Sequence, residues 1–289
     1  MERVGVLVHP TRPVQHGVEI VRRWTEDRGL GLVQIPAGEQ PRVAPAGDVS
    51  VCDLVTAFGG DGTILKALHA AAKTGTPVLG VAYGSLGVLT TVPQNELRTA
   101  LDRFAAGEWL ARHLPALDVV AGGAHVARAI NDLVLARRGG TQLVVEVYVD
   151  GELYVRIAGD GVVVATPVGS SAYSMAAGGS LLAAGTSAMV CTPLAMHGGC
   201  APPLVVPDDR EVALEIIPGR DGFDLEVDGF RVETEAKRFS VSSERAYATL
   251  VLLDGSVSGL ARLRERGLIS DSPRVVARKS RELRVKPEA

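Results

Sequence analysis

Aromatic residues are scarce: Phe, Trp and Tyr together make up 4% of the 289 residues, so a core has to be assembled from Val, Leu, Ile and Ala. Cysteine is scarcer still. Cys52, Cys191 and Cys200 are odd in number and show no CxxC spacing, which argues against a disulfide framework and for a reduced, cytoplasmic setting. Neither sign of charge prevails, since 30 Lys and Arg stand against 33 Asp and Glu. A chain with a formal charge of −3 lacks the broad positive field that a phosphate backbone requires, so nucleic acid is not an expected partner. No apolar stretch approaches the length of a bilayer span and no basic-then-apolar leader precedes "VGVLVHP", so no membrane is expected either. His9, His16, His69, His113 and His125 fall at no metal-ligand spacing, and no protein-borne metal site is expected. The basic tail "RVVARKSRELRVK" reads as a solvated terminal segment.

What is present suits one large or two modest domains, with 46% hydrophobic residues. Strand and helix signals alternate through the first hundred residues. "RVGVLVH", "CDLVTAF" and "TPVLGVAYG" read as buried strands. Between and after them, "VEIVRRWTEDRG", "TILKALHAAAKTG" and "NELRTALDRFAAG" carry apolar residues at helical spacing, the first two ending at Gly29 and Gly75. Alternation of this kind predicts a Rossmann-like parallel sheet with right-handed crossovers. Near Pro115 the pattern changes to short strands, with hairpin turns at Gly122-Gly123 and Asp150-Gly151 and one helical interruption, "SSAYSMAAGG". The expectation is therefore an α/β domain over 1–114 and a β-rich domain over 115–289.

The stretch "LVTAFGGDGTILKAL", residues 54–68, is the most informative. A strand that runs into Gly59, Gly60 and Gly62 and then into a helix exposes backbone N–H groups at a helix N-terminus, an arrangement that attracts phosphate. The structural alternative is a tight strand-to-helix turn. Asp61 weighs against it: a carboxylate beside phosphate is repelled, so it needs another task, either holding a divalent cation or taking the proton of a hydroxyl that attacks phosphorus. Thr63 is a helix cap or a phosphate contact. No GxxxxGK[ST] and no strict GxGxxG after the first strand occurs, so a triphosphate must be gripped in another way.

"GGDGT" resembles a superfamily of kinases that includes NAD kinases, diacylglycerol and sphingosine kinases and, more distantly, phosphofructokinases. "NDLVL" at 131–135, "GDGVVVATPVGSSAYSMAAGG" at 159–179 and "VDGF" at 227–230 fall in the order and at roughly the spacing of NAD kinases. The resemblance implies that the α/β domain over 1–114 binds nucleotide, that the β-rich domain over 115–289 is sandwich-like and that the active site lies between them. It implies that a phosphate passes from ATP, brought in with Mg²⁺, to the 2′-hydroxyl of the adenosine ribose of NAD. It also implies assembly as a homodimer or homotetramer. It makes Asp61 the catalytic carboxylate, with Gly59, Gly60, Gly62 and Thr63 on the phosphate side. Asn131, Asp132, Asp160, Ser170, Ser171, Ala172, Tyr173 and His197 would face the acceptor. Turn, cap and core roles remain open for Asn131, Asp132, Asp160, Ser170, Ser171 and Tyr173.

Four positions depart from the NAD kinase pattern. Tyr83 stands for an Asn, Val88 for an aromatic in "GFL", Val168 for the second Thr of "TPTGSTAYS", and Ala158 for an Arg. In "MHGGCAPP" His197 survives but the family's Arg does not, Ala201 falling near its place. Lost donors in a buried site cost affinity for the matching ligand. Two acceptors therefore stay open: NAD, the family's ordinary substrate, or the hydroxyl of another nucleoside, nucleotide or sugar-containing metabolite. A non-catalytic dinucleotide-binding regulatory protein is a third reading, opposed by the intact "GGDGT".

Overall fold

The chain opens as β1 (Arg3–Val8), α1 (Gln15–Glu26), β2 (Gly31–Gln34), β3 (Leu54–Gly59), α2 (Asp61–Ala72), β4 (Val78–Ala82), β5 (Val92–Pro93) and α3 (Leu97–Ala105). A run of strands follows: β6 (Leu110–Ala121), β7 (Ala124–Ala129), β8 (Asp132–Arg137), β9 (Leu143–Val149), β10 (Glu152–Gly159) and β11 (Gly161–Ala165). After the short α4 (Tyr173–Ala176) come β12 (Ala188–Leu194), β13 (Leu204–Pro207), β14 (Val212–Ile217), β15 (Phe223–Val227), β16 (Phe230–Val232), the long β17 (Arg238–Leu252) and α5 (Gly259–Glu265). The computed structural model describes residues 1–84, 87–217, 221–253 and 259–276. Most of the basic tail, part of "GVAYGSLGVL" and the ends of "REVALEIIPG" and "ATLVLLDG" lie outside them.

The expected parallel sheet is present. β2, β1, β3 and β4 lie side by side in that order, all parallel. Every residue of β3 and β4 is buried, as it must be when helices cover both faces. β2 has only four residues, too few for its periodicity to register in the sequence. α1 buries Val18, Val21 and Trp24, the residues read at helical spacing. Trp24 Nε1 donates to Asp102 of α3 at 2.7 Å, fastening the two helices. α2 buries Ile64, Leu65, Leu68 and Ala71 against Val55, Ala57 and Val78 of the sheet.

That sheet does not end with the α/β half. β17 runs parallel to β4 at Leu250 and antiparallel to β14 from Arg238 to Val241, extending the sheet through β9 to β10. β6 pairs with β17 along most of its length and contains Pro115. The proline is tolerated inside a strand because the β17 ladder is interrupted between Glu244 and Ala248, opposite it, so no bond waits for the missing N–H. A second, antiparallel sheet of six strands, ordered β13-β12-β11-β8-β15-β16, packs on the far end of the first. Leu133, Leu135, Val162 and Val164 from it meet Val145, Val147, Leu214, Phe239 and Val241 in one core. The turns at Gly122-Gly123 (φ 58° and 80°) and Asp150-Gly151 (49° and 81°) are two-residue hairpins with positive φ at both central positions, the geometry that matches strand twist. Asp228-Gly229 (50° and 78°) makes a third.

Tyr83, read as a pocket position, is instead part of the core beneath α1, edge-on to Phe58 at 5.9 Å. The residue after β4 turns back under the helix rather than out to the cleft. A Cβ at Gly17 would lie 2.9 Å from the Phe58 ring and against the Tyr83 hydroxyl. Gly17→Ala would gain helix propensity of up to about 1 kcal/mol, but overpacking at such a site costs about 1–3 kcal/mol. Net destabilisation in chemical unfolding is the expected result.

Candidate active site

In a parallel sheet, ligands collect beyond the carboxyl ends of the strands, where neighbouring crossovers leave in opposite directions. Here β1 and β3 are adjacent, with β2 outside one and β4 outside the other, so that point lies between β1 and β3. A cavity of about 400 Å³ opens there. Its walls are the segment after β1 (His9, Arg12), the loop and first turn after β3 (Gly60, Asp61, Gly62, Thr63, Lys66), and Glu39 and Phe230.

Gly60 is the N-cap of α2 and Asp61 its first helical residue. Thr63 is not the cap: it sits buried in the first turn, its N–H donating to Gly60 O at 2.9 Å. Its side chain fills the space a Cβ at Gly59 would need, which is why the strand can end so tightly only in glycine. Arg12 and Lys66 bring positive charge to the cavity. His9 Nδ1 accepts the N–H groups of Thr11 and Arg12, each at 3.2 Å. Burial, then Arg12 and Lys66, lower the His9 pKa, so near neutrality the ring is uncharged with its proton on Nε2. Lys66 Nζ also stands 5.3 Å from the ring centroid of Phe230.

The Asp61 carboxylate is half-buried and fixed. Val88 N–H donates to Oδ2 and Leu89 N–H to Oδ1, both at 3.0 Å. The loop that supplies these donors is itself held from below by Arg262 of α5, which is 3% exposed and whose Nη1 donates to the carbonyls of Gly87 and Thr90.

Asn131 and Asp132 enter β8 beside the turn that follows β11. Thr166 N–H donates to Asn131 O at 2.9 Å and Thr166 Oγ1 to Ile130 O at 2.6 Å. Gly169 rests directly on the Asn131 carbonyl, where a Cβ has no room. Asp132 is 6% exposed. Burial, then the nearby charges of Asp228 and Glu226, push its pKa up to about 7, partly offset by the Tyr173 backbone N–H. A carboxyl raised in the folded state binds its proton more tightly than in the unfolded chain, so its contribution to stability falls as pH rises from about 4 to about 7. Asp132→Asn should flatten that part of the stability–pH curve in urea titrations and leave the variant the more stable of the two above pH 7.

Ser170 spends its hydroxyl internally, donating to Pro167 O at 2.7 Å and accepting from Leu182 N at 2.9 Å. Ser171 Oγ donates to Val168 O at 3.0 Å, and no side chain caps the short turn. Ala172 and Tyr173 are exposed, Tyr173 at 46%. Val88, Val168 and Ser171 line a second cavity of about 220 Å³ with Arg112, Leu182 and Leu263. Asp160, Ala158 and His197 are elsewhere. Asp160 pairs with Arg137 at 2.5 Å and His197 N–H donates to Ala158 O at 2.8 Å, at the opposite end of β8 from Asp132. Five residue steps run from Asp132 to Arg137, about 16 Å. One chain therefore does not bring these three to Asn131.

His9, Arg12, Glu39, Lys66 and Phe230 were not read from the sequence as site residues. The signal for His9 and Arg12 was available: "HPTR" follows the first strand directly, at its carboxyl end. Cys200 is exposed, and Cys52 and Cys191 are buried thiols. No helix among the described residues is long and apolar enough to cross a membrane.

Comparison with known proteins agrees over both halves. The ATP-NAD kinase N-terminal domain model matches residues 38–109 and the ATP-NAD kinase C-terminal domain model residues 130–251. An NAD kinase of Desulforamulus reducens is 36% identical over 79% of this chain and 84% of its own length. One from Methylibium petroleiphilum is 35% identical over 71% and 69%. Among solved structures, a yeast NADH kinase complexed with NADH superposes with a TM-score of 0.79 at 22% identity, covering 94% of this chain and 89% of that one. An Archaeoglobus fulgidus NAD kinase in complex with ATP gives 0.71 at 20% identity, covering 91% and 96%. With a fold of that shape, and relatives above 30% identity across most of its length, the chain belongs to the NAD kinase family.

Proposed function

We propose that this protein transfers the terminal phosphoryl group of ATP to the 2′-hydroxyl of the adenosine ribose of NAD, giving NADP and ADP. The observation that carries the reading is Asp61, held by two backbone N–H groups at a helix N-terminus inside a cavity whose other walls bear Arg12 and Lys66. The cations and the open N–H groups of α2 bind phosphate oxygens. Asp61 orients the attacking hydroxyl and takes its proton as the new O–P bond forms and the bond to ADP breaks. Asn131, Asp132, Ala172 and Tyr173 form the acceptor side, with Gly59, Gly60, Gly62 and Thr63 on the donor side. Asp61 and Glu39 both line this cavity; together with the triphosphate oxygens they would hold a Mg²⁺ ion, which would neutralise phosphate charge.

The second reading keeps the chemistry and changes the acceptor. It is favoured by Val88 and Val168, two of the departures from the family pattern, which line one cavity together. Incubation with ATP, Mg²⁺ and NAD, with NADP read by an NADP-specific dehydrogenase, separates the two. NADP formation that disappears in Asp61→Asn supports the first. ADP released only with some other hydroxyl compound supports the second.

We place the enzyme in the cytoplasm, in keeping with three unpaired cysteines, as a homodimer or homotetramer. Asp160 and His197 lie at the opposite end of β8 from Asn131, and we assign their acceptor contact to a second copy of the chain. Light scattering tests the assembly; a monomer at assay concentration rules it out.

A further inference from the structure

Asp228 is a buried carboxylate that the proposed chemistry leaves unused. Its side chain is 1% exposed, yet it accepts four hydrogen bonds. The N–H of Ile130 reaches Oδ2 at 2.9 Å, and those of Asn131 and Asp132 reach Oδ1 at 2.7 and 3.1 Å. The fourth comes from His69 Nε2, 2.6 Å from Oδ2. A carboxylate only accepts, so Nε2 carries the proton, and His69 Nδ1 faces the Tyr247 hydroxyl at 3.1 Å. The groups of this network, Asp228 included, come from four places: the segment entering β8, the β15–β16 hairpin, helix α2 and strand β17.

The placement has a functional sense. His69 lies eight residues along α2 from Asp61, on the same rigid helix, about 12 Å away. Ile130–Asp132 is the segment whose Asn131 and Asp132 form the acceptor side. Asp228 is held with positive φ in a two-residue turn, so its carboxylate is aimed by the backbone. Two residues on, Phe230 lines the same cavity as Asp61 and Lys66. Three consecutive amides converging on one carboxylate make a joint with little freedom to slide, since a shift leaves buried N–H groups unpaired.

We propose that Asp228 and His69 are positioning residues, which lock the acceptor-binding segment 130–132 to the helix that carries Asp61 and so set the distance between acceptor hydroxyl and catalytic carboxylate. The proposal rests on the phosphotransfer reading for its kinetic consequence, but not for its structural one. A lock of this kind acts on kcat and on acceptor KM and leaves the triphosphate cavity alone, because misplacing reactants by about 1 Å costs about 10²-fold in rate.

Three variants and two readouts test it. Asp228→Asn puts an amide NH₂ where donors converge. His69→Ala removes the link to α2 alone, and His69→Gln restores an N–H near the position of Nε2. In hydrogen–deuterium exchange of the folded, full-length protein, peptides covering 129–133 should exchange at least about tenfold faster in Asp228→Asn. In His69→Ala the acceleration should be smaller, and His69→Gln should return it towards wild type. In ADP-release assays, His69→Ala should lower kcat/KM for the acceptor about 10–100-fold with ATP KM within about threefold, and His69→Gln should recover most of the loss. Unchanged exchange of 129–133 in Asp228→Asn overturns the proposal. So does a loss in His69→Ala that raises ATP KM equally and is not rescued by His69→Gln. If the wild type makes no NADP, the acceptor assignment fails, and the exchange result still decides whether the lock exists.

Discussion

Asp61→Asn is expected to lower kcat about 10²–10⁴-fold, the range over which a positioned general base acts, in a protein that still folds. The substitution keeps the shape of the side chain and removes its ability to take a proton. It also changes the local hydrogen bonding: one of the two oxygens facing Val88 N–H and Leu89 N–H becomes an amide nitrogen. That adds a cost of about 1–3 kcal/mol for one unpaired buried donor. Single-turnover phosphoryl transfer alongside calorimetry separates the two effects. A variant that retains more than a tenth of the wild-type rate would remove Asp61 from the chemistry.

Gly87→Ala is the second large effect, and it arises from a residue with no chemistry of its own. A Cβ built on Gly87 would fall on the Asp61 carboxylate, within contact distance of both oxygens and Cγ. The loop cannot simply back away, because Arg262 holds the carbonyls of Gly87 and Thr90 from the other side and is itself buried. Either the carboxylate rotates off its two N–H donors or the loop shifts. Displacement of about 1 Å costs about 10²-fold in rate, and overpacking adds about 1–3 kcal/mol of instability. The expected outcome is a folded protein with kcat lowered about 100-fold or more and ATP binding retained, measured by fluorescence titration beside the rate. Wild-type kinetics in Gly87→Ala would mean that the loop and the carboxylate are not in contact in solution.

How much of this was legible beforehand differs from element to element. Helix α2 and the loop before it were readable because glycine after an apolar strand and apolar residues at helical spacing are local signals. The Asp150-Gly151 turn was readable for the same reason: positive φ at two successive positions selects Asp-Gly. β2 was missed because four residues give no period to count. The core role of Tyr83 is not legible in the sequence because its neighbours in sequence belong to a strand end, while its neighbours in space, Phe58 and Gly17, come from β3 and α1. Asp160 and His197 were grouped with Asn131 because they share a motif block or a family pattern. Sheet geometry puts them at opposite ends of the same strands.

The amino-acid sequence alone determined the kinase-like loop and the helix it opens, since each depends on residues within a few positions of one another, and the order of the motifs at 59–63, 131–135, 159–179 and 227–230 pointed to the family. Which groups meet Asp61 and Asn131 was decided by the tertiary structure. Val88 and Leu89 reach Asp61 across 27 and 28 residues, Asp228 reaches Ile130 across 98 and His69 across 159, and Arg262 reaches Thr90 across 172. Contacts at such separations follow from sheet register and helix packing, which couple the whole chain at once, and no local preference of the residues involved encodes them.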